Sequence, residues 1–402
     1  MTSEREADLI VVGGGPAGVM TGLLFARAGV STKVVEKHAD FFRDFRGDTV
    51  HPSTMEILDQ LGLLGKFLQR PHNRVNKAQL RIEGRDWTIG DLSHLSTPAP
   101  FIAMMPQWDF LDFLRDEAER FPAFDLVMDE AVIGFVEEGG RVTGVRYASG
   151  REERAGRLVI AADGRASLVR RLGMLPMETL GAPIDVLWFK LPKTDDGGDA
   201  LRGSVNPGRI VVLIDRDDYW QAAFVIGKGE EAAVRAKGLG WLRGEVEGAF
   251  PDLRFEGAFL ERDEDVKLLS VAVDRLRQWS RPGLLAIGDA AHAMSPIGGI
   301  GINLAIQDAV AAANILAAPM AAGENVDPLL HQVQQRRLLP TRIIQAGQVA
   351  AQDRIIGPVL SGGTVRAPRL VRLLDRFPLL RRIPGRIIGL GIRREQVRSP
   401  AA

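Results

Sequence analysis

The stretch from Asp8 to Glu36 constrains this chain most. Asp8 to Val12 (DLIVV) is an apolar run of strand length, followed at once by Gly13-Gly14-Gly15-Pro16-Ala17-Gly18. Val19 to Ala28 continues at helical spacing, Gly29 stops it, and Thr32 to Val35 form a second strand ending at Glu36. Gly13, Gly15 and Gly18 make a GxGxxG pattern. Alone the pattern is weak, but the order strand, glycines, helix, strand, acid specifies a parallel β–α–β unit that binds a dinucleotide. Gly13 permits the tight turn, Gly15 lets backbone approach a pyrophosphate, and Gly18 lets the helix lie close on the strand. Glu36 is placed to accept hydrogen bonds from adenosine ribose hydroxyls. Its charge would repel a 2′-phosphate, which argues against NADP in this particular site.

A second stretch, Leu284 to Asn303 (LLAIGDAAHAMSPIGGIGIN), has related logic. Leu284 to Ile287 read as a buried strand closed by Gly288, with Asp289 at its carboxyl end, where open α/β sheets place ligands. Pro296 and glycines 298, 299 and 301 follow, and Ile302 to Ala313 run as a helix. Such a loop brings bare backbone N–H groups to an electron-rich ligand, and the helix dipole favours negative charge there.

The chain has 402 residues, enough for two or three units around substantial cores. A formal net charge of zero gives no basic field for nucleic acid. Cysteine is absent, which removes disulfides, thiolate metal sites, iron–sulfur clusters and dithiol chemistry, and no other metal site is expected. By elimination alone, electron transfer would use a bound organic cofactor or a metal site without thiolates. The start MTSEREADLI is polar, with no signal-like apolar region, and no uncharged run reaches membrane-spanning length, so a cytoplasmic protein is expected.

Between these stretches, Phe41 to His51 is a loop carrying Arg43 and Arg46, and Ser53 to Leu61 a helix. Gln79 to Ile89 alternates like a strand, and Pro106 to Arg120 is amphipathic with Gln107 at its start. Ala131 to Val136 and Arg141 to Tyr147 form a hairpin, and the strand Leu158 to Ala162 runs into the turn Asp163-Gly164-Arg165. Ile184 to Leu191, Ile210 to Ile214 and Trp220 to Ile226 then read as an antiparallel sheet, with Thr194 to Gly203 a polar loop and Glu230 to Glu247 helical. Beyond Pro319 the chain looks helical, arginine-rich from Arg366 to Arg398. The prolines there cut it into short pieces expected to pack on the body rather than on a membrane surface.

GGGPAG with Glu36, the Asp163-Gly164 turn and GDAAH…PIGGIGIN, in this order, resemble the para-hydroxybenzoate-hydroxylase-type (class A) flavoprotein monooxygenases over roughly residues 5 to 320. The resemblance implies an α/β chain, α+β overall: a Rossmann-like FAD-binding domain (1–75, 106–175 and 269–320), an inserted antiparallel-sheet substrate domain (76–105 and 176–268) and a helical C-terminal region (321–402). It implies FAD as cofactor and NAD(P)H as a transient co-substrate. Position by position, Gly13, Gly15, Pro16, Ala17, Gly18, Glu36 and Lys37 match the adenosine and pyrophosphate site. Arg46 and Gly47 match a flavin-contacting loop, Gln107 a helix start beside the cofactor, and Val132 a backbone position at the adenine. Asp163 belongs to a turn implicated in FAD and NAD(P)H binding. Asp289 matches the acid on the ribityl chain, and Pro296 with Gly299, Gly301, Ile302 and Asn303 the loop and helix start under the isoalloxazine. The implied reaction hydroxylates an aromatic, quinol or polyketide-like molecule with dioxygen through a flavin C4a-hydroperoxide.

The sequence also departs from the namesake. Of its two tyrosines, Tyr147 reads as hairpin and Tyr219 precedes a strand, so no tyrosine relay can be placed, and no arginine is evident for a substrate carboxylate. Nor does the sequence show the thioredoxin-like C-terminal domain of the larger hydroxylases. His51 and Pro296 are the candidates for the reacting centre, while His292 reads as satisfied by neighbours. Trp220 and Phe224 share one strand face, and as the larger, more apolar set they are expected to face the substrate. Other readings are a flavin-dependent alkene reductase of the geranylgeranyl-reductase type and a non-catalytic FAD-binding protein; the WxWxIP motif of flavin halogenases is absent.

Overall fold

The computed structural model describes residues 6–42, 49–82, 84–194, 201–216, 218–255, 257–363 and 367–402. Leu9–Val12, fully flanked by apolar neighbours, becomes the centre of a six-stranded sheet. It pairs in parallel with Thr32–Val35 on one side and Leu158–Ala161 on the other, and Leu284–Ala286 extends the latter edge. The strands carrying all three motifs therefore lie side by side with their carboxyl ends together. The helix Pro16–Arg27 packs on this sheet and against the helix Gly301–Ala321. By composition the span Ile297–Ala321, which includes the latter, is long and apolar enough to cross a membrane, but 78% of its most apolar window is buried, as in a core helix.

A seven-stranded sheet stands apart from the first. Ile184–Pro192, Tyr219–Gly227 and Arg209–Asp215 pair antiparallel at its centre. The expected single strand Gln79–Ile89 is instead a hairpin, Lys77–Ile82 with Arg85–Asp91, turning at Gly84 (φ 74°), a backbone angle that suits glycine. Part of the expected polar loop Thr194–Gly203 is a strand, Leu201–Asn206, joined to this hairpin. Glu230–Glu247 is two helices, Glu231–Arg235 and Leu239–Ala249, broken at Gly238 (φ 81°).

Helices Leu330–Ala351, Arg369–Arg376 and Arg382–Leu390 follow, and the last residues run without helix back to the helix Pro16–Arg27. There the Ala402 N–H donates to Arg27 O (2.9 Å), and Arg27 donates to Ser399 O (3.1 Å).

Candidate functional site

The motif residues meet at two glycines. A Cβ on Gly13 (φ 107°) would stand 2.6 Å from Ala162 O and 2.7 Å from Asp163 Cα, so the Asp163 turn lies directly on the glycine loop. A Cβ on Gly288 would stand 3.1 Å from Ala17 Cβ and 3.3 Å from Ala305 Cβ, so the Asp289 turn is clasped between the starts of two helices. Neither helix start has a side-chain cap among the described residues, nor an acidic residue in its first turn. Their opening N–H groups and positive dipole ends are left for a ligand. Gly18 packs so closely that a Cβ would stand 1.8 Å from Gly13 O, while one on Gly15 meets no described atom within 4 Å. That gap is the cradle a pyrophosphate needs.

Glu36 sits where the second strand ends. Its Oε2 accepts the Gly14 N–H (2.8 Å) and its Oε1 the His38 N–H (3.2 Å), and the His38 ring pairs with Oε1. Lys37 beside it is exposed. Glu130 donates its N–H to Glu36 O (3.0 Å), which brings Val132 close to this strand end. Asp163 accepts the Leu168 N–H on Oδ2 (2.7 Å), while its buried Oδ1 has no partner among the described residues. Burial raises its pKa above the ordinary carboxylate value. Asp289 is paired with Arg165 (3.1 Å), and Arg170 holds the same turn through Asp289 O (2.7 Å) and Ala290 O (2.8 Å). An open glycine cradle, an orphaned carboxylate oxygen, two uncapped helix starts and an acid at the strand end fit FAD.

The glycine-rich loop rests on the segment around His51. Thr49 donates to Gly299 O (2.6 Å), and Asn303 Oδ1 accepts both the His51 N–H (2.9 Å) and the Thr54 hydroxyl (2.7 Å). The Asn303 side chain is thus committed to protein, fixing the helix start rather than reaching outward. Gly301 and Ile302 open that helix, and Pro296 is half-buried at the loop's entry. Gln107 begins the helix Gln107–Ala118, half-buried. Arg43, Arg46 and Gly47 lie outside the described residues. His51 is fully buried, and desolvation lowers its pKa from 6.5 to about 4 against the pull of the Ile388 and Gly299 backbones. The neutral ring meets Ile388 O at 2.7 Å through Nδ1, which as donor leaves Nε2 a bare acceptor without a partner among the described residues.

Trp220 and Phe224 are not where alternation placed them. With Ala222 and Ile226 they pack against Val234, Leu242 and Val246 of the two covering helices, and Phe224 meets Trp241 edge-on at 5.9 Å. The most apolar face of the sheet is its outer face, because a helix layer buries it. The opposite face, with Ala223 and Val225, packs with Ile297 of the glycine-rich loop. Register sets small Ala223 between Trp188 and Val212, both only half-buried in mid-sheet. These two also touch the cluster of Met104, Ile214, Ile388 and Leu390. Gln221 accepts from Arg216 (2.9 Å), and its buried Nε2 has no partner among the described residues.

Sequence reasoning missed a buried polar chain behind the site. His292 pairs with Asp308 (2.6 Å), which also accepts the Gly288 N–H (3.0 Å) and Arg337 (2.9 Å); Arg337 continues to Glu395 (3.2 Å). Burial raises the Asp308 pKa, but His292 and Arg337 outweigh it and hold the carboxyl below its ordinary value. No spacing rule links positions so far apart in the chain. Tyr147 is buried in the hairpin, donating to Glu153 (2.8 Å) away from the glycine loops.

Comparison with known proteins agrees with this geometry. The family model described as FAD binding domain matches residues 6–346. The 6-methylpretetramide 4-monooxygenase of Streptomyces rimosus is 34% identical over 391 residues, 95% of this chain and 92% of that one. The fold is shared with a probable FAD-dependent monooxygenase from Pseudomonas aeruginosa (TM-score 0.73, 20% identity, 89% of this chain and 98% of that one). It is shared likewise with an anhydrotetracycline hydroxylase from Streptomyces rimosus (TM-score 0.72, 21% identity, 97% and 77%). Fold and site define an FAD-dependent oxidoreductase. Within that class, the chain belongs to the para-hydroxybenzoate-hydroxylase-type family of FAD-dependent monooxygenases.

Proposed function

We propose that the chain uses NAD(P)H and dioxygen to hydroxylate an extended aromatic molecule of polyketide type. The observation that carries the substrate class is the apolar strip Trp188–Ala223–Val212, half-buried at its two ends and buried at Ala223, on the sheet face that packs with Ile297. A small residue between two larger ones makes a shallow trough, suited to a flat ring system. The Streptomyces relative, named for 6-methylpretetramide, points the same way.

Bound FAD supplies the redox chemistry and the activation of oxygen. Glu36 would hold the adenosine end, and the uncapped start of Pro16–Arg27 with Gly15 would receive the pyrophosphate. Asp289, half-exposed and paired here with Arg165, would hold a ribityl hydroxyl, and the start of Gly301–Ala321 would favour negative charge beside it. Pro296 shapes that loop's entry. Trp188, Val212, Met104 and Ile388 exclude water and orient substrate. His51 acts as a hydrogen-bond acceptor: a ring with a pKa of about 4 holds a proton poorly, so it orients a substrate hydroxyl rather than storing its proton.

The test is aerobic oxidation of NADH and of NADPH by the FAD-loaded protein, with 6-methylpretetramide, simple phenols and quinols, measuring peroxide and product. Stimulation with matching hydroxylated product for the fused-ring substrate supports the reading. No stimulation by any aromatic, or loss of a substrate double bond without oxygen uptake, contradicts it.

A further inference from the structure

The helices Arg369–Arg376 and Arg382–Leu390 present an outer face that the fold does not use. Leu370, Leu373 and Phe377 recur along one side of the first, and Ile383 and Ile387 along the second, with Leu379 on the turn between. All are exposed, Leu379 at 69%, Leu370 at 65% and Ile383 at 60%, which is far from ordinary for such side chains in one stretch. Arg369, Arg372, Arg376, Arg382 and Arg386 are exposed beside them. The sequence from 367 to 394 contains a single acid, Asp375, and it is already paired with Arg381 (3.1 Å) and Arg85 (2.6 Å).

The inner side explains why this face is fixed. A Cβ on Gly385 would stand 2.0 Å from Asp91 O, and one on Gly389 2.7 Å from Leu95. The second helix therefore lies backbone against backbone on the strand Arg85–Asp91, and Leu374 buries the first. The exposed apolar side chains are thus carried on helices whose inner sides pack on the body.

We propose that this face docks the protein on an anionic phospholipid surface, with the leucine, isoleucine and phenylalanine side chains entering the interface and the arginines meeting headgroup phosphates. A second copy fits worse. A two-fold interface would set the same five arginines against themselves, and Asp375, the one acid between residues 367 and 394, is already paired. The short amphipathic pieces do pack on the body, as the sequence suggested, the first through Leu374 and the second through Gly385 and Gly389. The proposal does not depend on the reading of the reaction above.

The experiment is flotation of the FAD-loaded full chain with vesicles of phosphatidylcholine alone and of equal parts phosphatidylcholine and phosphatidylglycerol. Binding is expected to the mixed vesicles, weakened by salt. Each arginine lost is worth about five-fold, so Arg372→Glu with Arg376→Glu should weaken binding at least about 25-fold. Leu379→Ser with Ile383→Ser should weaken it about ten-fold or more. Flavin content and thermal melting of these surface variants report folding and stand apart from any assay of turnover. Three results overturn the proposal: no binding to the mixed vesicles, equal salt-independent binding to both, or a solution dimer that Leu379→Ser with Ile383→Ser dissolves.

Discussion

Replacing Phe224 by alanine separates the two faces of the seven-stranded sheet. Phe224 is buried against the covering helices and meets Trp241 edge-on. Truncating a buried phenylalanine leaves a cavity that costs about 3–5 kcal/mol. A loss of that size lowers the melting temperature of a 402-residue chain by roughly 4–6 °C. It should leave the reaction alone at a temperature where the protein is folded, because the side chain points away from the glycine-rich loop. Trp188 is the opposite case, half-buried on the face that shares contacts with Ile297. Trp188→Ala should melt closer to the parent, retain FAD, and raise the ratio of peroxide to product about ten-fold, since each pocket methylene contributes about 1–3 kcal/mol to recognition. The paired assay is a thermal melt and the peroxide-to-product ratio under saturating substrate. A raised ratio in Phe224→Ala with an unchanged ratio in Trp188→Ala would refute this assignment of faces.

Glu36→Gln and Asp289→Ala should each weaken FAD by about 1.5–3 kcal/mol, ten- to hundred-fold, read by fluorescence titration of the apoprotein; parent-like affinity in either would move the cofactor contacts elsewhere. Gly18→Ala should fail to retain FAD or to fold, because its methyl would lie 1.8 Å from Gly13 O, and a stable, flavin-loaded variant would contradict that packing. His51 titrates at about 4 when folded against 6.5 ordinarily, so between those values the unfolded chain binds the extra proton and stability falls as pH falls. This limb amounts to roughly 3 kcal/mol, and His51→Asn, which keeps a donor towards Ile388, should flatten it in denaturant melts across that range.

The nucleotide half of the fold was legible because its constraints are local. Gly13, Gly18 and Gly288 each stand where a methyl would collide with backbone or a neighbouring helix, Glu36 directly follows its strand, and Asp289 comes three residues after Leu284–Ala286. The sheet was harder. Alternation in Tyr219–Gly227 identifies two faces but not which one a helix will cover, and the larger side chains went to the helix layer at Leu239–Ala249. The hairpin at Gly84 and the break at Gly238 were in principle visible as positive-φ glycine positions inside periodic runs. The links His292–Asp308–Arg337–Glu395 and His51–Ile388 were not, since they join distant segments that only the folded chain brings together.

The central claim is that this chain transfers an oxygen atom from dioxygen to an aromatic ring at the face marked by Trp188 and Val212. Turnover of the FAD-loaded protein with NAD(P)H, 6-methylpretetramide and isotopically labelled dioxygen, read by mass spectrometry of the product, tests it most directly. The expected product carries one labelled oxygen, with its yield falling and labelled peroxide rising in Trp188→Ala. A product that carries oxygen from water, or one that forms equally well without dioxygen, would contradict the account.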